Sequence, residues 1–489
     1  MIDSPPAANL GIAVLGAGPA GLTAAHVLSL RDRRAAVIEA EGTVGGIAKT
    51  VEFKGYRFDL GGHRFYTKLK PIERLWEEAL GEELLRRRRL SRIYFRGHFF
   101  NYPLRAEDVF KGLGLVESAR CALSYLYWRA RLRKTEPQSF EDWVVGRFGR
   151  RLYDDFFRSY TQKVWGVPGS EIRAEWAAQR IQDFTLWNAL RNIIRPSRDP
   201  ARTLIEEFRY PRLGPGQMWE AFRESVESRG TPVHLKRRCV SVRHEGNRIA
   251  AVGLASEGEA SEHTVDGLIS TIALPDLIYA LEPPAPEPVR DAARRLRFRN
   301  LCLVALMTNE PIPFADNWIY LHDPGTLAGR VQNFGAWSPD MVRPGTTCLG
   351  VEYFCFPEDE MWRMPDGAAI ELAKAELGRI GLIDPALVTD GVKVRVPRAY
   401  PMYDPGYREA AAEVRGFLES FTNLQTCGRN GLHRYNNQDH SMWTGILAAL
   451  NLTDGGNRDL WSVNTRGEYL EQAGDSEDAL ETIDLFGDS

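Results

Sequence analysis

Leu10-Gly-Ile-Ala-Val-Leu-Gly16-Ala-Gly18-Pro19-Ala20-Gly21-Leu-Thr-Ala-Ala-His-Val-Leu28, followed by Ala35-Ala-Val-Ile38-Glu39, places an apolar strand, a glycine turn, a helix and a second apolar strand that stops on an acid. That order predicts a strand–helix–strand unit built to bind a dinucleotide, a far stronger signal than the glycines alone. Gly16 allows the tight turn, Gly18 lets the backbone approach a pyrophosphate, and Gly21 lets the helix pack close to the strand. Pro19 and Ala20 open the helix, where unpaired N–H groups and the helix dipole favour negative charge. Glu39 stands where a ribose hydroxyl needs an acceptor.

The chain continues Gly42-Thr-Val-Gly45-Gly46-Ile-Ala-Lys49, and a second pair, Gly61-Gly62, follows Tyr56-Arg-Phe-Asp59. An acid, a short gap and a Gly-Gly turn let the backbone run beside a long, extended cofactor. This resembles FAD-binding flavoproteins of the glutathione-reductase and amine-oxidase type rather than NAD dehydrogenases. The resemblance implies FAD held by Gly16, Gly18, Pro19, Ala20, Gly21, Glu39, Gly45, Gly46, Gly61 and Gly62.

The chain has 489 residues, 44% hydrophobic and 26% charged, with a formal net charge of −3. That length predicts two or three domains. The charge leaves no overall electrostatic footprint for nucleic acid. No window of about 18 uncharged apolar residues is present, so no membrane span is expected. Met1-Ile-Asp-Ser-Pro-Pro6 lacks the basic and apolar regions of a secretory signal. Six cysteines are scattered without a CxxC pair, which suits a reducing cytoplasm and no zinc site. The nine histidines have no metal-ligand spacing, so no metal is expected.

The expected fold class is α/β: a Rossmann-like FAD-binding domain, an inserted helical domain, and a second antiparallel or mixed β-sheet domain. The first is discontinuous, over 9–100, 213–272 and 405–465. Helical spacing from Glu107 to Arg133, in Phe140-Glu-Asp-Trp-Val-Val and in Arg151-Leu-Tyr-Asp-Asp-Phe-Phe predicts the helical domain over 104–205. Strand alternation appears from Val233 onward. Short strands such as Leu301-Cys-Leu-Val-Ala-Leu and Cys348-Leu-Gly-Val-Glu-Tyr-Phe predict the sheet domain over 273–404. Residues 471–489 hold seven acids and no Lys or Arg, a loosely ordered tail by composition. Arg86-Arg-Arg-Arg89 could bind an anion but reads first as a solvated surface.

A second anchor is Gly428-Arg429-Asn-Gly-Leu-His433-Arg434-Tyr435-Asn436-Asn437-Gln438-Asp439-His440-Ser441, leading into Met442-Trp-Thr-Gly-Ile-Leu-Ala-Ala-Leu450. Polar residues before an apolar run predict a helix N-terminus, which would stabilise negative charge on a flavin. The segment closely resembles the C-terminal flavin motif of the UDP-galactopyranose mutases. Other blocks agree: Phe156-Phe-Arg-Ser-Tyr160-Thr161-Gln-Lys163-Val-Trp165, Trp176-Ala-Ala-Gln-Arg180, Trp318-Ile-Tyr320 with Gly329-Arg330, Ala399-Tyr400-Pro401, and Gly61-Gly62-His63. The resemblance covers roughly residues 10 to 450 in the family's order.

That resemblance implies interconversion of the pyranose and furanose rings of a nucleotide-diphosphate sugar, with N5 of reduced FAD as nucleophile at the anomeric carbon. It assigns His63, Arg180, Arg330, Tyr320, Tyr400 and Tyr435 to catalysis. Tyr102, Tyr160, Thr161, Trp165 and Arg429 fall to substrate binding. Gly428, Arg429, Asn437, Gln438, Asp439, Ser441 and His63 join the cofactor set. Guanidinium groups suit a departing diphosphate because they stay charged and can bind phosphate bidentately. Thr161, Arg105 and His433 depart from the family pattern and leave the nucleotide (UDP, GDP or TDP) and the sugar open.

The main alternative is an FAD-dependent oxidase or desaturase of the amine-oxidase or protoporphyrinogen-oxidase type, which shares the N-terminal plan but needs an apolar cavity. A non-catalytic binding protein is a further alternative, against which Glu39 and the late flavin segment speak. No second GxGxxG suits a separate NAD(P)H domain. The reductant is therefore expected to be NAD(P)H met directly at the flavin, or a partner reductase. A cytoplasmic location is expected, and the oligomeric state is open between monomer and dimer.

Overall fold

Ile12–Leu15 (β1) and Ala35–Ile38 (β2) are short and uncharged, so both of their faces can be covered, and only Ile12 is not fully buried. They lie parallel, Ile12 opposite Ala35 through Leu15 opposite Ile38. The sheet runs in the order Leu424–Thr426, Gly267–Ser270, β1, β2, Val233–His234, parallel throughout. Burial of both faces is what a parallel sheet needs. The structure, a computed structural model, describes residues 9–102, 106–132, 136–174, 207–256 and 258–464.

Helix Pro19–Leu30 (α1) leaves the glycine turn, where Gly16 sits at φ +97°. A Cβ on Gly21 would stand 1.9 Å from the Gly16 carbonyl oxygen, so only glycine lets the helix return this close to the turn. The late helix Gln438–Asp454 packs across α1 and is buried continuously from Gln438 to Asn451. A helix without a solvent face belongs in a core. Gly445 makes the crossing possible, since a Cβ there would lie 2.2 Å from the Ala20 carbonyl oxygen.

The second sheet has seven strands, in the order Val388–Pro401, Phe298–Thr308, Thr347–Cys355, Arg330–Asn333, Trp318–Leu321, Ser91–Phe95, His98–Asn101. Sequence pattern places residues up to 100 in the first unit, but here Ser91–Asn101 extends the second sheet. Ser91 pairs in parallel with Trp318. The cause is apolar burial: Ile93, Phe95 and Phe100 join Phe140, Phe148 and Phe156 in one cluster. A four-stranded sheet over residues 238–282 packs beside the parallel one.

The helical region packs against the seven-stranded sheet, Ala106–Leu132 beside His98–Asn101 and Arg158–Trp165 beside Thr347–Cys355. Phe140–Phe148 starts on a reciprocal cap, in which the Asp142 N–H donates to Ser139 Oγ and the Ser139 N–H to the Asp142 carboxylate, each at 3.1 Å. Of the helical domain expected over 104–205, residues 175–206 lie outside the described residues, and Arg180 with them, as do Arg105 and the tail 471–489. Among the described residues no helix is long and apolar enough to cross a membrane.

The run Arg86–Arg89 is only half solvated. Leu84–Arg88 is a strand paired with Glu207–Pro211, so alternate side chains turn inward. Arg87 Nε donates to the Trp337 carbonyl at 2.7 Å. The Arg89 guanidinium lies 5.3 Å from the Tyr102 ring and 5.6 Å from that of Trp318.

Candidate active site

A cavity of about 950 Å³ runs from the glycine turn to the seven-stranded sheet. Its first end is made largely of backbone. Gly16, Gly18, Pro19, Ala20, Glu39 and Gly46 line it. Glu39 is buried; Oε2 accepts the Ala17 N–H at 2.7 Å and Oε1 the Glu41 N–H at 2.8 Å. Each oxygen keeps a lone pair for a further donor. A Cβ on Gly18 would come 3.9 Å from Gly46 Cα, so the two glycine turns face each other across a gap that a side chain would fill. Gly21 and Gly45 shape these turns without lining the cavity.

Midway, Gly61, Gly62 and His63 meet the start of the late helix, where Gly428, Asn437, Gln438 and Ser441 line the wall. Asp439 is buried but does not line the cavity. His63 Nδ1, Arg429 Nε and both side-chain polar atoms of Gln438 are buried with no protein partner. Buried polar atoms are normally satisfied. Orphans gathered around a cavity at a helix N-terminus fit a polar, electron-rich ring such as an isoalloxazine. Burial, then the charges of Arg429 and Arg330, drive the His63 pKa down to about 3, against a hydrogen bond with the Gly61 backbone. The imidazole is neutral at physiological pH, with one nitrogen donating and one accepting.

The far end is made of side chains from distant segments. Tyr320 and Arg330 stand opposite each other on adjacent antiparallel strands. Arg330 Nε donates to Glu352 Oε2 at 2.8 Å, and Gln332 Nε2 donates to Glu352 Oε1 at 2.7 Å. Glu352 is completely buried. Burial is the largest single influence and opposes the Arg330 charge, but Glu352 and the Tyr400, Tyr160 and Tyr320 phenols together outweigh it and hold the arginine's pKa above its ordinary value. Arg330 Nη2 also reaches the Tyr400 hydroxyl at 3.4 Å. The Tyr400 and Tyr435 rings stack at 5.6 Å, and the Arg429 guanidinium lies 4.0 Å from the Tyr435 ring and 5.0 Å from that of Tyr400. Burial raises the phenol pKa of Tyr400 and holds Tyr160 well above 10, so both stay protonated donors.

The structure therefore gathers His63, Tyr320, Arg330, Tyr400, Arg429 and Tyr435 on one cavity. Tyr102 and Tyr160 stand behind Tyr320, with ring centroids 4.9 and 5.8 Å from it. Tyr160 also stacks on His322 at 4.3 Å. Thr161 and Trp165 are buried and do not line the cavity.

Glu352, Gln332 and Trp318 are site residues that the sequence did not single out. The signal for Glu352 was present: it is the lone acid in a strand, Thr347–Cys355, that is buried at every position. A charge in such a run needs a partner. Elsewhere among the described residues, Glu117, Cys121 and Asp155 bring three ligand-type atoms within 4.8 Å of one another. Their carboxylates already pair with Arg120, Arg151 and Arg96.

Residues 19–390 match the model of a family described as flavin containing amine oxidoreductase. This chain belongs to that family. The flavoprotein's relatives divide by chemistry. A probable UDP-galactopyranose mutase of Klebsiella pneumoniae is 23% identical over 171 residues, 34% of this chain and 44% of that protein. An inactive all-trans-retinol 13,14-reductase of Danio rerio is 43% identical over 53 residues, 11% of this chain and 9% of that protein. The chain thus matches less than half the length of these curated relatives. Its fold matches the crystal structure of reduced UDP-galactopyranose mutase with a TM-score of 0.80 at 22% identity, over 94% of this chain and 98% of that one. It also matches putrescine oxidase bound to putrescine, with a TM-score of 0.60 at 16% identity, over 92% and 100%. The mixed α/β architecture is therefore the one shared by mutases and amine oxidases.

Proposed function

We propose that this flavoprotein interconverts the pyranose and furanose rings of a nucleotide-diphosphate sugar. The observation that carries the reading is the far end of the cavity, where Arg330 and Arg429 stand among three tyrosines, with Trp318, Trp337 and Leu301 beside them. Two guanidiniums against one carboxylate leave that end net positive. It suits a diphosphate that gains charge as its bond to the sugar breaks, and it disfavours a protonated amine.

Gly16, Gly18, Glu39, Gly46, His63 and Gln438 would hold FAD, and when bound and reduced the flavin supplies the nucleophile at N5. The chain's own residues do the rest. Arg330, oriented by Glu352, binds phosphate oxygens. Tyr320, Tyr400 and Tyr435 donate phenolic hydrogen bonds to the same oxygens. Arg180, outside the described residues, is assigned a second diphosphate contact, and Tyr102, Tyr160, Thr161 and Trp165 the nucleotide side. His63, neutral, donates or accepts one hydrogen bond beside the flavin without adding charge. Such preorganised donors contribute most where charge develops. NAD(P)H or a reductase would supply electrons.

The test is incubation of dithionite-reduced protein with UDP-, GDP- and TDP-sugars, with furanose products separated by chromatography. Furanose formation only with reduced protein is expected. Activity only with oxidised flavin, together with peroxide release, would instead establish the oxidase reading, which the putrescine oxidase fold match favours.

A further inference from the structure

Lys163 lies on the helix Arg158–Trp165 and does not line the cavity. Its ammonium donates to four oxygens at one strand end and the loop after it: the carbonyls of Leu321 at 2.9 Å, Asp323 at 2.6 Å and Ala328 at 3.2 Å, and Thr326 Oγ1 at 2.8 Å. Three protons face four acceptors, so one is shared. The opposite side of the loop meets a carboxylate. The Leu327 and Ala328 N–H groups donate to Glu376 at 2.5 and 3.1 Å, and Tyr353 donates its hydroxyl to the same buried acid at 3.1 Å. A cation takes the carbonyls and an anion takes the amides, which matches the backbone's own polarity.

The loop, residues 322–329, joins Tyr320 to Arg330. Strand pairing between their strands ends at that pair, and beyond it the Leu321 N–H donates to the Gly329 carbonyl at 2.9 Å. The helix adds two further contacts, Ser159 Oγ to the His322 carbonyl at 2.9 Å and the Tyr160 ring on His322.

We infer that Lys163 is a positioning residue, whose ammonium clamps loop 322–329 to the helical region and so fixes Tyr320 and Arg330 at the cavity. The inference rests on the reading of that cavity as a nucleotide-sugar site. Burial lowers the Lys163 pKa to about 8, with Glu376 and Asp323 resisting and Arg379 adding to the fall. His322, on the same loop, is held neutral by burial and by the Lys163 charge, its pKa near 3. Above about pH 8 the amine keeps two donors and loses its charge, and the clamp slackens. Folding does not suffer in step: the unfolded lysine holds its proton to higher pH, so this group's contribution to stability rises over the same range. Ligand affinity and stability therefore move in opposite directions.

The decisive comparison is wild type against Lys163→Met, with UDP as probe. Expected are retained flavin, UDP affinity weaker by about tenfold or more, and faster amide exchange in the peptide spanning 318–333. Wild-type UDP affinity falls between pH 7 and 9, and that of K163M does not. UDP affinity within twofold together with unchanged exchange would overturn the clamp. If wild type takes up no UDP, the nucleotide-sugar reading fails, and hairpin exchange and its pH dependence still decide on Lys163. If K163M does not fold, Thr326→Val, which removes one acceptor and keeps the ammonium, decides instead: faster exchange supports the clamp and unchanged exchange overturns it.

Discussion

The two ends of the one cavity are built by different means. Near Gly16 and Gly46, backbone N–H groups and the absence of side chains create the space, and the residues come mostly from one continuous stretch. Near Arg330, side chains from residues 63, 320, 330, 400, 429 and 435 converge from strands, loops and one short helix. A backbone-built end is fixed by local conformation and tolerates almost no added atoms. A side-chain-built end depends on long-range packing, and its chemistry changes with single substitutions.

The largest break in that contrast should come from Glu352→Ala. It leaves the Arg330 guanidinium buried and uncompensated, which costs about 3–5 kcal/mol. Thermal denaturation should register a large fall in Tm, and Glu352→Gln, which keeps a hydrogen-bond acceptor, a smaller one. Arg330→Ala should lower kcat/KM by roughly a hundredfold while the bound flavin spectrum is retained. Loss of flavin in that variant would mean the two ends are not separable. Gly18→Val should give the reverse signature, with flavin affinity weaker by about tenfold or more and far-ultraviolet circular dichroism unchanged.

A pH dependence separates the two ends in a different way. His63 and His322 have folded pKa values near 3, set first by burial, against 6.5 in the unfolded chain. Between those values the unfolded state binds more protons, so stability is full above about pH 6.5 and falls as pH drops toward 4. His63→Asn should flatten part of that slope in Tm against pH. An unchanged slope would show that His63 does not stay neutral.

The same contrast explains what the sequence made legible. The glycine turn and Glu39 could be read directly because their geometry is local. Tyr320 and Arg330 could be placed near one another only through family-like blocks, since their pairing across a hairpin is not a spacing signal. Thr161 and Trp165 share one helical face, four residues apart, and that face turns into the core, while Tyr160 points elsewhere. Helical periodicity could have separated them. Lys163 sat inside a quoted motif, yet its partners lie some 158 to 165 positions onward, where no periodicity reaches.

The crossing of Gly445 over Ala20 has a consequence for biogenesis. The glycine turn follows the earliest described strand, while Gln438 and Ser441 on one of the last helices line the same cavity midway. A nascent chain lacking residues 438–454 carries the whole glycine fingerprint and half a cleft. The cavity wall is therefore complete only when residue 445 has closed on residue 20, well after synthesis of the motif that announces it.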